Sequence, residues 1–182
     1  MAVDTLHVVK LYQDSEIPVK PTDPTDSGFD VFANNFKFVY LKSHSLELVD
    51  GAYVSKPVEI KTVFPEGAEA IVLEPGQRCL IGTGVAASTG VPGTEIQVRP
   101  RSGASLKEGL TVVNTPGTVD VGYSNEIGVI LENRSQIPQR VKKGDRIAQI
   151  VIAPVILANN INVTDNLPVF DRGLGGFGSS GK

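Results

Sequence analysis

Short runs of β-branched and apolar residues, closed by turns rich in Gly and Pro, recur along this chain at a spacing of roughly 8–12 residues. That rhythm leaves little room for helices and fits an all-β sandwich or barrel. The runs occupy 6–12, 36–41, 46–60, 68–73, 78–86, 94–99, 110–113, 127–131, 139–141 and 146–155. Between them stand Asp50-Gly51, Glu74-Pro75-Gly76, Gly90-Val91-Pro92-Gly93 and Lys142-Lys143-Gly144-Asp145, which are residues that preset φ or tolerate positive φ. Only 102–109 suits a helix, barely two turns long. The 182 residues argue for one domain. A chain of this length buries about 70% of its unfolded surface, so it needs neither disulfide nor metal to fold.

Charge and composition narrow the function classes. The net charge of −3 leaves no basic footprint for nucleic acid. No run approaches the roughly 18 apolar residues of a membrane span, and the N-terminus has no apolar leader segment. The expectation is a soluble intracellular protein that binds neither nucleic acid nor membrane. Cys79 is the single cysteine, within the strand-like Arg78-Cys79-Leu80-Ile81. It is expected to be a small buried hydrophobe, and no disulfide can form within the chain. His7 and His44 lack metal-ligand spacing.

The most informative stretch is 110–132. Two apolar runs flank a centre rich in Gly, Asn, Pro and Asp, the pattern of two strands joined by a folded-back connection. That connection carries an amide (Asn114), Gly117, a carboxylate (Asp120) and a ring (Tyr123). Such a set can hold a small polar ligand, although Asn and Asp also serve in turns by bonding their own backbone. Arg99-Pro100-Arg101-Ser102-Gly103 opens the short helix. Ser102 is the expected N-cap there, and arginines beside a helix start suit an anion. Gln149 is polar within an apolar strand, as either a satisfied core amide or a ligand contact. In the tail, 173–178 formally matches G-x-G-x-x-G, but no strand and helix frame it as a dinucleotide loop requires. Arg172, Phe177, Gly178, Ser179 and Ser180 suit a triphosphate instead. Glycines let backbone N–H groups converge on an anion, and a phenyl ring can stack on a base.

Five segments, in order, resemble the five motifs of the homotrimeric dUTP pyrophosphatases (dUTPases). They are Ser27-Gly28-Phe29-Asp30; Arg101-Ser102-Gly103; Gly117-Thr118-Val119-Asp120 with Tyr123; Gly144-Asp145-Arg146-Ile147-Ala148-Gln149; and Arg172-Gly173 with Gly175-Gly176-Phe177-Gly178-Ser179-Ser180-Gly181. The resemblance covers nearly the whole chain except about 34–70. It implies a jelly-roll-like β-barrel over 1–170, with one short helix and a mobile C-terminal arm at 171–182 that closes over the active site. It also implies a homotrimer with shared active sites. The implied reaction is hydrolysis of dUTP to dUMP and pyrophosphate, which limits uracil in DNA and supplies dUMP for dTMP synthesis.

By the same resemblance, Asp120 matches the carboxylate that orients and deprotonates the water attacking the α-phosphorus. Tyr123 matches the ring beneath the deoxyribose. Asn114 and Gly117 belong to the hairpin that reads uracil, and Phe177 matches the ring over the base. Arg101, Ser102, Gly103, Gln149, Arg172, Gly178, Ser179 and Ser180 match phosphate contacts. Asp30 matches an acid that reaches, through water, the Mg²⁺ held mainly by the substrate phosphates.

Departures from the family pattern are mild at Phe29, Ser124-Asn125 and Ser180. The larger one is extra length within 34–70. Its strand-like content suggests an inserted hairpin, expected to be a structural flap, with a protein-binding surface as the alternative. Two rival functions stand beside the hydrolase. A dCTP deaminase resembles the same family, but the position of its catalytic acid is Ile130 here, with Glu132 two residues on. A binding or regulatory protein on this scaffold would have no need of Asp120.

Overall fold

The computed structural model describes residues 5–21, 23, 25–50, 52–158 and 161–165. Alternating burial makes the strands. In Ala70–Leu73, Ile71 and Leu73 point inward while Val72 is exposed, and in Gly128–Asn133 the residues Val129, Leu131 and Asn133 are buried. The elements in chain order are β1 (His7–Lys10), β2 (Gly28–Phe32), β3 (Asn35–Val49), β4 (Ala52–Val63), β5 (Ala70–Leu73), β6 (Arg78–Gly82) and β7 (Val85–Ser88). Then follow β8 (Thr94–Arg99), α1 (Ser102–Lys107), β9 (Leu110–Val112), β10 (Gly117–Asp120), β11 (Gly128–Asn133), β12 (Gln139–Lys142) and β13 (Arg146–Pro154).

Two sheets carry the fold. One has the order β10-β8-β13-β2 and the other β4-β3-β6-β11-β9; the pairs β1-β7 and β12-β5 complete it. Every pairing is antiparallel, and the whole is jelly-roll-like. The core draws on both sheets: Cys79, Ile81, Val129 and Leu131 from one, Ile96, Val98, Ala148 and Ile150 from the other. Burying each large aliphatic side chain among these contributes about 1.5–3 kcal/mol. Cys79 is 0% exposed, and burial pushes its thiol up to about 12. It is a packing residue with almost no thiolate at neutral pH.

Three local expectations change. The run 78–86 is two strands, because Gly84 takes φ 74° at a point where a Cβ would stand 2.2 Å from Ser15 Oγ. The chain turns there, and β7 pairs with β1 instead of continuing beside β11. The connection in 110–132 is more than a turn: β9 and β11 pair with each other, but β10 between them crosses to β8 in the other sheet. Ser102 is not the N-cap. Arg101 holds that position without a side-chain cap bond, and Ser102 begins the helix. The Arg101 backbone is extended there (φ −86°, ψ 130°), and its guanidinium is engaged with Asp30.

Residues 34–70 contain β3 and β4, which pair from Phe38↔Val63 to Val49↔Ala52. The polar Ser43, His44 and Ser45 leave β3 unbroken because each has a partner on β4. β6 accompanies β3 only as far as Tyr40. Beyond that the ribbon runs on as two strands, about 30 Å at the rise of an antiparallel strand. Among the described residues no helix is long and apolar enough to cross a membrane.

Candidate active site

Asn114 and Asp120 bracket β10. Val119 is buried, so strand alternation turns Thr118 and Asp120 outward. Gly117 faces the core side, and a Cβ there would stand 3.0 Å from Asn114 Nδ2 and 3.4 Å from Val98 Cβ. Glycine therefore lets the Asn114 amide lie close to the strand. The Thr115–Pro116 peptide between them is cis. Asp120 is exposed at the end of β10, directly opposite Glu95 of β8. Beyond it the chain turns, and the Tyr123 amide donates to the Asp120 carbonyl at 3.0 Å. The Tyr123 hydroxyl donates to the Glu126 carbonyl at 3.0 Å. The ring is thus tied at backbone and tip, yet 41% exposed and open to a ligand.

Asn114 and Tyr123 line one cavity of about 390 Å³ together with Asn125, Glu126, Ile130 and Lys37. That lies within the roughly 300–1,000 Å³ usual for small-ligand sites. The Glu126 side chain is fixed from three directions, by Asn35 Nδ2 (2.7 Å), the Gly84 amide (2.8 Å) and Lys37 Nζ (3.0 Å).

A second group gathers where β2, β13 and β8 lie side by side. Asp30, Gln149 and Arg99 are register partners across these strands. The Asp30 carboxylate is nearly buried. It accepts from Arg101 Nε at 2.8 Å and from Arg146 Nη1 at 3.2 Å, one guanidinium to each oxygen. Arg146 also lies over the Phe32 ring at 5.8 Å. Half-buried Gln149 donates one Nε2 hydrogen to the Pro100 carbonyl at 2.9 Å, which leaves the second for a ligand. Its oxygen sits where a Gly28 Cβ would be, 2.3 Å away. Ser102 and Gly103 are exposed, with open space over Gly103. Arg101, Arg146, Arg140, Asp145 and Glu108 line a cavity of about 610 Å³.

Among the described residues, no three His, Cys, Asp or Glu side chains group as cation ligands. Both Asp30 oxygens already face a guanidinium, which opposes direct metal coordination. Each oxygen keeps a lone pair for a water, so an outer-shell role toward a cation brought in on a substrate fits.

The two groups do not meet within one chain. Asp120 pairs with Glu95, and Gln149 with Arg99. Glu95 and Arg99 are four positions apart on β8, about 13 Å at strand rise. Their cavities share no lining residue. Arg172, Phe177, Gly178, Ser179 and Ser180, with the rest of 171–182, lie outside the described residues. Sequence reasoning gave no role to Arg146, although it sits inside the fourth of the five motif-like segments, nor to Glu95, Glu126 or Lys37. No local signal marks the last two, because Glu126 and its partner Asn35 are 91 residues apart.

The dUTPase family model matches residues 66–181. The deoxyuridine 5'-triphosphate nucleotidohydrolase of Nautilia profundicola is 52% identical over 114 residues, 63% of this chain and 79% of that protein. Its counterpart from Roseobacter denitrificans is 40% identical over 153 residues, 78% of this chain and 97% of the relative. The structure of the Staphylococcus bacteriophage 80alpha dUTPase with dUPNHPP is similar at TM-score 0.66 and 27% identity, covering 98% and 99% of the two chains. A mutant dUTPase from phage phi11 of S. aureus, whose structure details the coordination of a structural Mg(II) ion, is similar at TM-score 0.63. At 23% identity that likeness speaks for the fold alone. These structures place the chain in the class of jelly-roll-like β proteins that the phage dUTPases represent. More narrowly, the chain belongs to the dUTPase family.

Proposed function

We propose that this protein hydrolyses dUTP to dUMP and pyrophosphate, with Asp120 as the base. The observation that carries the reading is the Asp120–Tyr123 unit. An exposed carboxylate and an open ring are locked together by one backbone hydrogen bond, and the ring shares a cavity with the Asn114 amide. Asp120 accepts a proton from a water whose oxygen attacks the α-phosphorus. The bond from the α-phosphorus to the bridging oxygen breaks, and the electron pair leaves with pyrophosphate. Tyr123 lies under the sugar, where a 2′-hydroxyl would collide. Asn114, held close by Gly117, reads the uracil edge. Arg101, Ser102, Gly103 and Gln149 receive the phosphates, with Arg172, Phe177, Gly178, Ser179 and Ser180 of the arm closing over them. The chemistry Mg²⁺ would supply, on the triphosphate with Asp30 facing its water shell, is neutralisation of phosphate charge.

The resemblance to the homotrimeric dUTPases makes a homotrimer with shared active sites the assembly that goes with this reading. An acid must reach the reacting phosphorus through a single water, and the Gln149 row lies about 13 Å along β8 from the Asp120 row of the same chain. A second copy supplies the missing half. The reading as a dCTP deaminase has less support. Ile130, where that enzyme would need its acid, lines the cavity, while Glu132 accepts from Arg134 Nε at 2.7 Å and does not line it.

Pyrophosphate release from dUTP, dCTP, dTTP and UTP in parallel, with Mg²⁺, tests the proposal. Turnover of dUTP alone is expected. Ammonia from dCTP would select the deaminase, and tight dUTP binding without turnover would select a regulatory protein.

A further inference from the structure

The turn that carries Tyr123 is pinned to the rest of the molecule at its start, where the Val121 carbonyl accepts from Ser88 Oγ at 2.8 Å, and at its end through Glu126. The main-chain oxygen of Glu126 receives the Tyr123 hydroxyl at 3.0 Å. Its side chain reaches the opposite way. One carboxylate oxygen accepts from Asn35 Nδ2 (2.7 Å) and from the Gly84 amide (2.8 Å). The other lies 3.0 Å from Lys37 Nζ. The fold keeps this space free: a Cβ on Gly82 would stand 2.4 Å from the Glu126 carboxylate and 2.5 Å from Asn35 Oδ1. Asn35 and Lys37 both belong to the start of β3, the strand that continues into the long two-stranded ribbon.

Lys37 stands on a wall between two cavities. One is the Asn114–Tyr123 cavity, and the other, of about 460 Å³, lies at the base of the ribbon with Tyr12, Asp14 and Phe64 on its lining. Burial works against the Lys37 ammonium, but the Glu126 carboxylate and the Tyr12 hydroxyl outweigh it and hold the group above its ordinary value. The Lys37 ammonium therefore stays charged at neutral pH.

We propose that Glu126 and Lys37 are positioning residues for sugar selection: the Glu126 carboxylate, clamped by β3 and the β6–β7 corner, sets the height of the Tyr123 ring. The proposal rests on Tyr123 lying beneath the deoxyribose. A ring that excludes a 2′-hydroxyl by contact discriminates only as well as it is held. If the clamp loosens, the ring gives way to the extra oxygen, and UTP is rejected less well. Lys37 supplies the charge-dependent part of the clamp, while Asn35 and Gly84 supply the neutral part.

The test uses the full chain carrying Glu126→Gln, Lys37→Met or Lys37→Arg. For each, kcat and KM are measured for dUTP and UTP, with UTP read as an inhibition constant if its turnover is undetectable. Thermal unfolding is recorded alongside. Glu126→Gln keeps an oxygen for Asn35 and Gly84 but loses the charge that faces Lys37. In Glu126→Gln and Lys37→Met, the preference for dUTP over UTP is expected to fall about tenfold, the scale of a sub-ångström misplacement. Lys37→Arg is expected to restore it. An unchanged preference, or dUTP and UTP activity lost in equal proportion, would overturn the proposal and leave both residues as stability elements. If Glu126→Gln does not fold, Lys37→Met decides alone, because Lys37 is partly exposed and outside the core. A wild-type protein that does not turn over dUTP would overturn the underlying function as well, whereas an unchanged preference in an active enzyme removes only this proposal.

Discussion

Asp120→Asn is expected to lower kcat for dUTP by about 10³-fold, within the range that a positioned general base contributes. Binding of a non-hydrolysable dUTP analogue should stay near the wild-type level. The structure explains why these effects separate. Asp120 is exposed at the end of β10, and its contact with the turn runs through its backbone carbonyl, which receives the Tyr123 amide. Asparagine has the same shape and leaves that bond intact, so neither β10 nor the ring should move. An amide cannot take a proton from water. Single-turnover kinetics and analogue titration read the two parts independently. A turnover within about threefold of wild type would remove Asp120 as the base, since that is far below the usual contribution. A parallel loss of binding would mean that it holds the ground state instead.

The second large effect is expected at Asp30. Asp30→Ala removes the acceptor shared by Arg101 and Arg146 and leaves two guanidiniums facing each other without their anion. Breaking a buried pair this way costs about 3–5 kcal/mol. The cost here falls below that range, because the charges left behind, on Arg101 and Arg146, are 32% and 51% exposed and regain water. A drop of about 2 kcal/mol in unfolding free energy is therefore expected, the scale of hydrogen bonds to a charged group, read from the urea midpoint. Turnover should fall beyond what instability explains, because Arg101 loses the contact that aims it. A loss under about 1 kcal/mol, the size of an exposed pair, with normal turnover would show that the Asp30 cluster organises nothing.

What the sequence made legible was local. Strand β8 falls at 94–99 as its alternation indicates, because Ile96 and Val98 point inward between polar neighbours. Asn114, Asp120 and Tyr123 were legible as a group because they share one short connection. Features that depend on distant partners were not. The departure of β10 to the opposite sheet depends on β8, which no property of 117–120 announces. The break at Gly84 depends on Ser15, and the loss of the Ser102 cap follows where Arg101 is held by Asp30, 71 residues earlier. The Glu126 clamp is the extreme case, since its donors are Asn35 and Lys37 of β3 and the Gly84 amide. The composition of 34–70 suggested strands, but where the ribbon leaves the sheet is set by β6, which ends its pairing with β3 at Tyr40.

Hydrolysis of dUTP in H₂¹⁸O tests the central claim most directly, because the label records which phosphorus the water attacks. Mass spectrometry of both products should find one ¹⁸O in dUMP and none in pyrophosphate, as attack at the α-phosphorus by an Asp120-activated water requires. Label in pyrophosphate would place the attack at the β-phosphorus and contradict the account.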